Sequence, residues 1–157
     1  MYSIVQTTWQ KDAAVLSQLR RSVFIEEQQV PEALEWDGMD ESAVHILAWD
    51  LGANAIGCAR LLPDEGYKLG RMAVLADYRG QGIGMALLQA GLEYAAAANW
   101  PHINISSQEQ AIGFYFKAGF VLTGNAYMDA GIPHRDMCLY LDGLDDGLDT
   151  SVNHQSA

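Results

Sequence analysis

The sequence predicts one α/β (α+β) domain, and three observations carry that prediction. Short apolar runs that read as strands outnumber the segments with helical spacing, and the two kinds alternate in the second half of the chain. At 157 residues, half of them hydrophobic, the chain has the size of one ordinary domain. A glycine-rich turn, Asp77-Tyr78-Arg79-Gly80-Gln81-Gly82-Ile83-Gly84, lies between a strand-like run and a helix-like one.

Taken in order, residues 2–8 read as a first strand. Residues 11 to about 27 read as a helix with Val15, Leu16, Leu19 and Val23 on one face, ended by Pro31. Residues 32–42 are polar and acidic, a loop with room for one helical turn. The runs 43–51 and 55–62 flank Gly52-Ala53-Asn54 and predict an antiparallel hairpin, which Pro63 to Gly66 turns into a third strand of a meander at 68–75. Residues 84–98 form a helix stopped by Asn99-Trp100-Pro101, and 102–107 a buried strand. A helix over 109–117 ends at Gly119, and strands follow at 120–128 and 135–141. The domain therefore runs over 1–141. Residues 142–157 hold Asp142, Asp145, Asp146 and Asp149 with no Lys or Arg and few apolar groups, which predicts a disordered acidic tail.

Composition excludes several classes of function. The net charge is −11, and a field of that sign repels nucleic acid and anionic lipid while permitting cationic acceptors. No stretch approaches the roughly 20 apolar residues of a membrane span, and residues 1–10 lack the marks of a secretory signal, so a cytoplasmic protein is expected. Cys58 and Cys138 lie far apart in apolar runs and read as buried thiols. Neither Gly-x-Ser-x-Gly nor His-Glu-x-x-His occurs, so neither a hydrolase nor a metal enzyme is expected.

The glycine-rich turn is the most informative segment. Alternating glycines let backbone approach a ligand closely, and unpaired N–H groups at a helix start point outward together, a geometry that binds an anion. A charge-assisted hydrogen bond to phosphate contributes about 1.5 to 3 kcal/mol, against about 0.3 to 1 for the helix dipole at an exposed end, so the amides dominate. Arg79, one of nine basic residues, stands where a phosphate needs a guanidinium. A dinucleotide fingerprint would need a third glycine where Met85 or Leu87 stands, and a P-loop needs Gly-Lys-Ser/Thr where Gly84 is followed by Met85.

These residues resemble the GNAT superfamily of N-acetyltransferases. Its acetyl-CoA signature, Arg/Gln-x-x-Gly-x-Gly/Ala, is matched by Arg79, Gly82 and Gly84, and its late Ala-x-x-x-Tyr-x-x-x-Gly-Phe motif by Ala111, Tyr115 and Gly119-Phe120. Residues 23–31, Glu35-Trp36-Asp37 and Gly131-Ile132-Pro133-His134 resemble the YjcF-like branch. Where many relatives have Asn near the late motif, this chain has Ser107-Gln108.

The resemblance implies a mixed, twisted six- to seven-stranded sheet, splayed between its fourth and fifth strands and flanked by about four helices. It further implies acetyl-CoA as co-substrate, with main-chain groups of Met72, Ala73 and Val74 aligning the thioester. Arg79 and the amides of Gly80, Gln81, Gly82, Ile83 and Gly84 would hold the diphosphate. It assigns protonation of the leaving thiolate to Tyr115, and it allows a homodimer, since dimers are common in that family.

An alkyl amine, with a pKa near 10.4, reaches the site protonated, so a base or a water path is needed. The candidates are Glu26, Glu27, Asp37, His45 and His134, with Glu26 and His134 the leading pair. Between Ser22 and Val44 the chain has Glu26, Glu27, Glu32, Glu35, Asp37, Asp40 and Glu41 and no basic residue, which predicts a cation-attracting mouth. The backbone N–H near Val74 is the natural donor to the carbonyl oxygen as charge develops there. The expected function is acetyl transfer to a primary amine of a small molecule, and the rival is a non-catalytic acyl-CoA sensor of the same fold.

Overall fold

The computed structural model describes residues 1–141, so the tail expected at 142–157 lies outside the described residues. The contacts divide the chain into two compact units, the first at Met1–Leu92 and the second from Glu93 onward. No helix among the described residues is long and apolar enough to cross a membrane.

The first unit is a four-stranded antiparallel sheet carrying helices. Strands β1 (Tyr2–Thr7), β2 (Val44–Asp50), β3 (Ala55–Leu62) and β4 (Lys68–Val74) pair in sequence order, so the expected meander begins one strand earlier. Helix α1 (Trp9–Arg20) starts two residues before the predicted point because the Thr8 hydroxyl accepts from the Lys11 amide. Leu16, Leu19 and Val23 bury against Leu47, Cys58 and Ala73.

The predicted helix does not run on unchanged to Glu27. From Arg21 to Glu27 the chain widens into a π-helix, where the Gln28 amide reaches back to the Val23 carbonyl. A single turn, α2 (Glu32–Glu35), occupies the acidic loop.

Strand β4 is bulged. Cys58 faces Ala73 and Arg60 faces Gly70, so Arg71 and Met72 together oppose Ala59. Arg71 takes φ +47, left-handed backbone inside a strand. A short 3₁₀ turn (Ala76–Tyr78) and the glycine-rich segment then lead into α3 (Ile83–Ala97).

In the second unit, β5 (His102–Gln108) pairs antiparallel with β8 (Ile132–Tyr140), which also pairs with β6 (Val121–Leu122) and β7 (Tyr127–Asp129). Helix α4 (Ile112–Lys117) follows a 3₁₀ turn at Glu109–Ala111. The single strand expected over 120–128 is two short ones, β6 and β7, and the Thr123 amide still donates to the Asp136 carbonyl of β8 just beyond the end of β6. Strand β7 returns into β8 through a two-residue turn at Ala130-Gly131, both at positive φ, the hairpin geometry that matches strand twist. Strand β8 therefore begins at Ile132 and not at the predicted 135.

Candidate active site

The glycine-rich turn has the backbone that the sequence calls for. Gly80 and Gly82 sit at φ +79 and +84, which side chains rarely adopt. A Cβ built on Gly80 would have no atom within 4 Å, and one on Gly82 would meet only the Tyr2 hydroxyl at 3.9 Å. The first unit's protein atoms thus leave this cradle open. The Ala86 amide makes the bond to the Gly82 carbonyl that opens α3, so the amides of Ile83, Gly84 and Met85 precede it and have no carbonyl one turn back.

Arg79 is engaged elsewhere. Its Nη1 and Nη2 donate to the two carboxylate oxygens of Glu27 at 2.7 Å each, and its Nε donates to the Val74 carbonyl at 2.9 Å. The guanidinium thus joins the end of β4 to the end of the π-helix. The hydrogen bond from Arg79 holds the Glu27 carboxyl below its usual range, against a small opposing effect of burial.

Upstream of that turn, the β4 bulge rests on a cluster of ions. Arg20 and Glu35 are 1% and 3% exposed, and Nε of Arg20 donates to Glu35 at 2.8 Å while its Nη1 donates to Asp40 at 2.6 Å. Arg60 reaches Asp37 at 2.7 Å and Asp40 at 3.1 Å. Arg71 reaches Glu35 at 2.9 Å and Asp37 at 3.3 Å. Burial pushes the Asp37 carboxyl up, but the Arg60 hydrogen bond and the Met39 amide outweigh it and hold the group down to about 2. For Asp40 burial is likewise outweighed, here by Arg20, and its carboxyl is lowered. Trp9 and Trp36 lie against Arg20, with ring centroids 5.7 and 5.2 Å from the guanidinium carbon.

A sequence model described as an acetyltransferase (GNAT) domain matches residues 8–141. The chain belongs to the GNAT acetyltransferase family. It is 36% identical over 121 residues to an uncharacterized N-acetyltransferase of Bacillus subtilis (strain 168), YjcF, across 76% of this chain and 86% of the relative. It is 31% identical to the protein ElaA of Escherichia coli (strain K12), across 78% of this chain and 83% of ElaA. The crystal structure of an acyl-CoA N-acyltransferase from Pseudomonas aeruginosa superposes with a TM-score of 0.78 at 29% identity, covering 88% of this chain and 99% of that one. The fold is the mixed α/β GNAT fold, with eight strands and four α-helices among the described residues.

The acid-rich stretch departs from the cation-attracting mouth that its composition predicts. The residues between Ser22 and Val44 do not form a bare acidic mouth, because arginines from α1, the π-helix, β3, β4 and the glycine turn take Glu35, Arg21's partner Glu32, Asp37, Asp40 and Glu27 into ion pairs. Sequence spacing could not show this, since the partners come from 11 to 52 positions away. Glu26 is exposed. Asp37, one of the candidate bases, is held ionised by Arg60 and is too weak a base for the task.

Both histidines named as candidate bases are buried. His45 is the core histidine its apolar surroundings suggest: it is 1% exposed, its Nε2–H donates to the Asp40 carbonyl at 2.9 Å, and burial lowers its pKa. His134 falls just before the strand expected at 135–141. It lies inside β8, buried, opposite Gln108 and stacked on Tyr127 at 6.1 Å. Its Nδ1 sits 2.7 Å from the Ile132 carbonyl, which can only accept, so in the neutral ring Nδ1 carries the proton and Nε2 keeps the lone pair. Tyr115 is half-buried on α4, its ring edge-on to Phe114 at 5.0 Å and Phe120 at 5.6 Å, and burial pushes its phenol up to about 12.

Proposed function

We propose that the chain is a GNAT-type N-acetyltransferase that moves acetyl from acetyl-CoA to a primary amine of a small, cationic acceptor by direct attack in a ternary complex. Residues 1–141 act as one catalytic domain in the cytoplasm. The observation that carries the reading is the open turn at Gly80 and Gly82, set directly before the unpaired first amides of α3 and one 3₁₀ turn after the bulged β4. A diphosphate suits a turn of that chemistry, with backbone N–H donors at a helix start and glycines that bring no side chain of their own.

In this reading the amides of Gly80, Gln81, Gly82, Ile83 and Gly84 bind the diphosphate. Main-chain groups of Met72, Ala73 and Val74 pair with the acyl-bearing arm. Arg79 adds its charge by trading the Glu27 carboxylate for a phosphate oxygen. Backbone N–H at the end of β4 steadies the carbonyl oxygen as negative charge gathers there during attack.

The acceptor amine must lose a proton before it attacks. Glu26 is assigned that task with His134, whose Nε2 lone pair is free to accept in the neutral ring. Tyr115 stands as the acid for the leaving thiolate. With its phenol at about 12 and a thiol near 8.5, complete transfer would be uphill by about 5 kcal/mol, so Tyr115 works by donating a hydrogen bond to sulfur while solvent completes the protonation.

The test is release of free thiol from acetyl-CoA across a panel of amines: polyamines, amino sugars, amino acids, aminoglycosides and lysine peptides. Turnover with at least one class supports the reading. Tight acetyl-CoA binding with no release on any amine would support a non-catalytic sensor instead.

A further inference from the structure

Of the non-glycine residues at positive φ in the first unit, Gln29, Ala53, Tyr67 and Arg71, only Arg71 lies inside a strand, and its contacts hold both its side chain and its carbonyl. A left-handed φ of +47 is rare for a residue with a Cβ, and rarer inside a strand. Four hydrogen bonds run from its guanidinium: Nε to Glu35 Oε2 at 2.9 Å, and Nη2 to the carbonyls of Glu35 at 3.0 Å and Leu34 at 3.4 Å and to Asp37 at 3.3 Å. From the other side the buried Cys58 thiol donates to the Arg71 carbonyl at 3.6 Å. Side chain and carbonyl are thus both tied, and the peptide between them has its direction fixed.

Charge neutralisation alone does not account for the residue. Glu35 already receives Arg20 at 2.8 Å, and Asp37 already receives Arg60 at 2.7 Å. What Arg71 adds is a tether from the acidic loop to the residue of β4 that takes positive φ.

We infer that Arg71 is a positioning residue: clamped by Glu35 and Asp37, it holds the β4 bulge in its left-handed form and so aims the main-chain groups of Met72 and Ala73. This rests on the reading above, in which those groups align the acyl-bearing arm. Arg71 touches neither the diphosphate nor the acyl group in this account. Its effect is confined to the arm.

Two variants separate a backbone role from a purely structural one, since both delete the ion pairs and only one removes the strain. Arg71→Ala keeps a Cβ at φ +47 with nothing to hold it there, whereas Arg71→Gly adopts that φ freely. Both should fold, because each carboxylate keeps another arginine. Calorimetry would use two probes: acetyl-CoA, and 3′-phospho-ADP, which has the diphosphate and lacks the arm. Arg71→Ala is expected to weaken acetyl-CoA by about tenfold and Arg71→Gly to recover most of that loss, while 3′-phospho-ADP binds all three proteins within about twofold. The amide NMR signals of Met72 and Ala73 should move in the alanine variant and return in the glycine variant.

Equal acetyl-CoA affinity in wild type and Arg71→Ala would overturn the inference, as would a glycine variant no better than the alanine one. If the wild type ignores both probes, the acetyltransferase reading fails on its own. The amide signals then still decide the bulge: unchanged Met72 and Ala73 in Arg71→Ala would overturn its tethering by Arg71.

Discussion

Arg79 and Glu27 meet in a two-pronged ion pair, Nη1 to Oε2 and Nη2 to Oε1, each bond 2.7 Å long. The residue that the GNAT signature places beside a phosphate is therefore held by a carboxylate at the end of the π-helix. A phosphate oxygen has to compete with Glu27 for the same fork of N–H groups.

Glu27→Gln removes that competitor's charge. Because the pair is exposed, thermal stability should change by less than about 1 kcal/mol, whereas acetyl-CoA should bind several-fold tighter and with a steeper dependence on salt. Calorimetric titration at two ionic strengths checks both. Weaker binding would mean that the pair is a brace for Val74 and the turn.

Tyr115→Phe keeps the ring against Phe114 and Phe120 and deletes the hydroxyl. The maximal rate should fall by about tenfold or more while acetyl-CoA affinity stays constant, the split expected of a group that acts after binding. With its phenol at about 12, Tyr115 remains protonated through neutral and mildly alkaline pH, so the wild-type rate should show no loss from its ionisation until well above pH 10. A variant as fast as wild type would return Tyr115 to the aromatic core.

The ion cluster sets an acid limit on stability. Asp37 is held at about 2, below the ordinary 3.8, by Arg60. A depressed carboxyl contributes stability that is fully present above the unfolded value and is lost as pH falls through the folded one. Stability should therefore drop between about pH 4 and pH 2, and Asp37→Asn should be less stable than wild type at pH 7 with a shallower drop in that window. Denaturant midpoints across pH 2 to 7 measure it.

Removing Arg20 should do more harm than removing Arg71, because Arg20 is 1% exposed and serves both Glu35 and Asp40. Arg20→Ala leaves buried carboxylates short of a partner, and a loss of about 3 to 5 kcal/mol is expected by chemical denaturation.

Much of this was legible in sequence because it depends on local signals. The β2–β3 hairpin follows from two apolar runs around Gly52-Ala53-Asn54, and the glycine turn follows from residues that must take positive φ at Gly80 and Gly82. What could not be read depends on distant pairing. The acids between Ser22 and Val44 looked unpaired because Arg20, Arg60, Arg71 and Arg79 stand outside that window, and only the folded sheet delivers them. The bulge at Arg71 is a matter of register between β3 and β4, to which composition is blind. The strand expected at 135–141 leaves His134 outside it, whereas the turn closes at Ala130-Gly131 and Pro133 and His134 both stand in β8. The Glu35-Trp36-Asp37 triplet marked the family branch, and its physical work is to supply two carboxylates and a ring to arginines.

The most direct test of the account is a calorimetric titration of acetyl-CoA into wild type and Gly82→Val. Valine at φ +84 is strained, which pulls the backbone away from the conformation that presents the amides to the diphosphate. Saturable one-site binding to the wild type and a loss of at least about tenfold in the variant are expected, with the fold retained by circular dichroism. Equal affinity in the two proteins would contradict it.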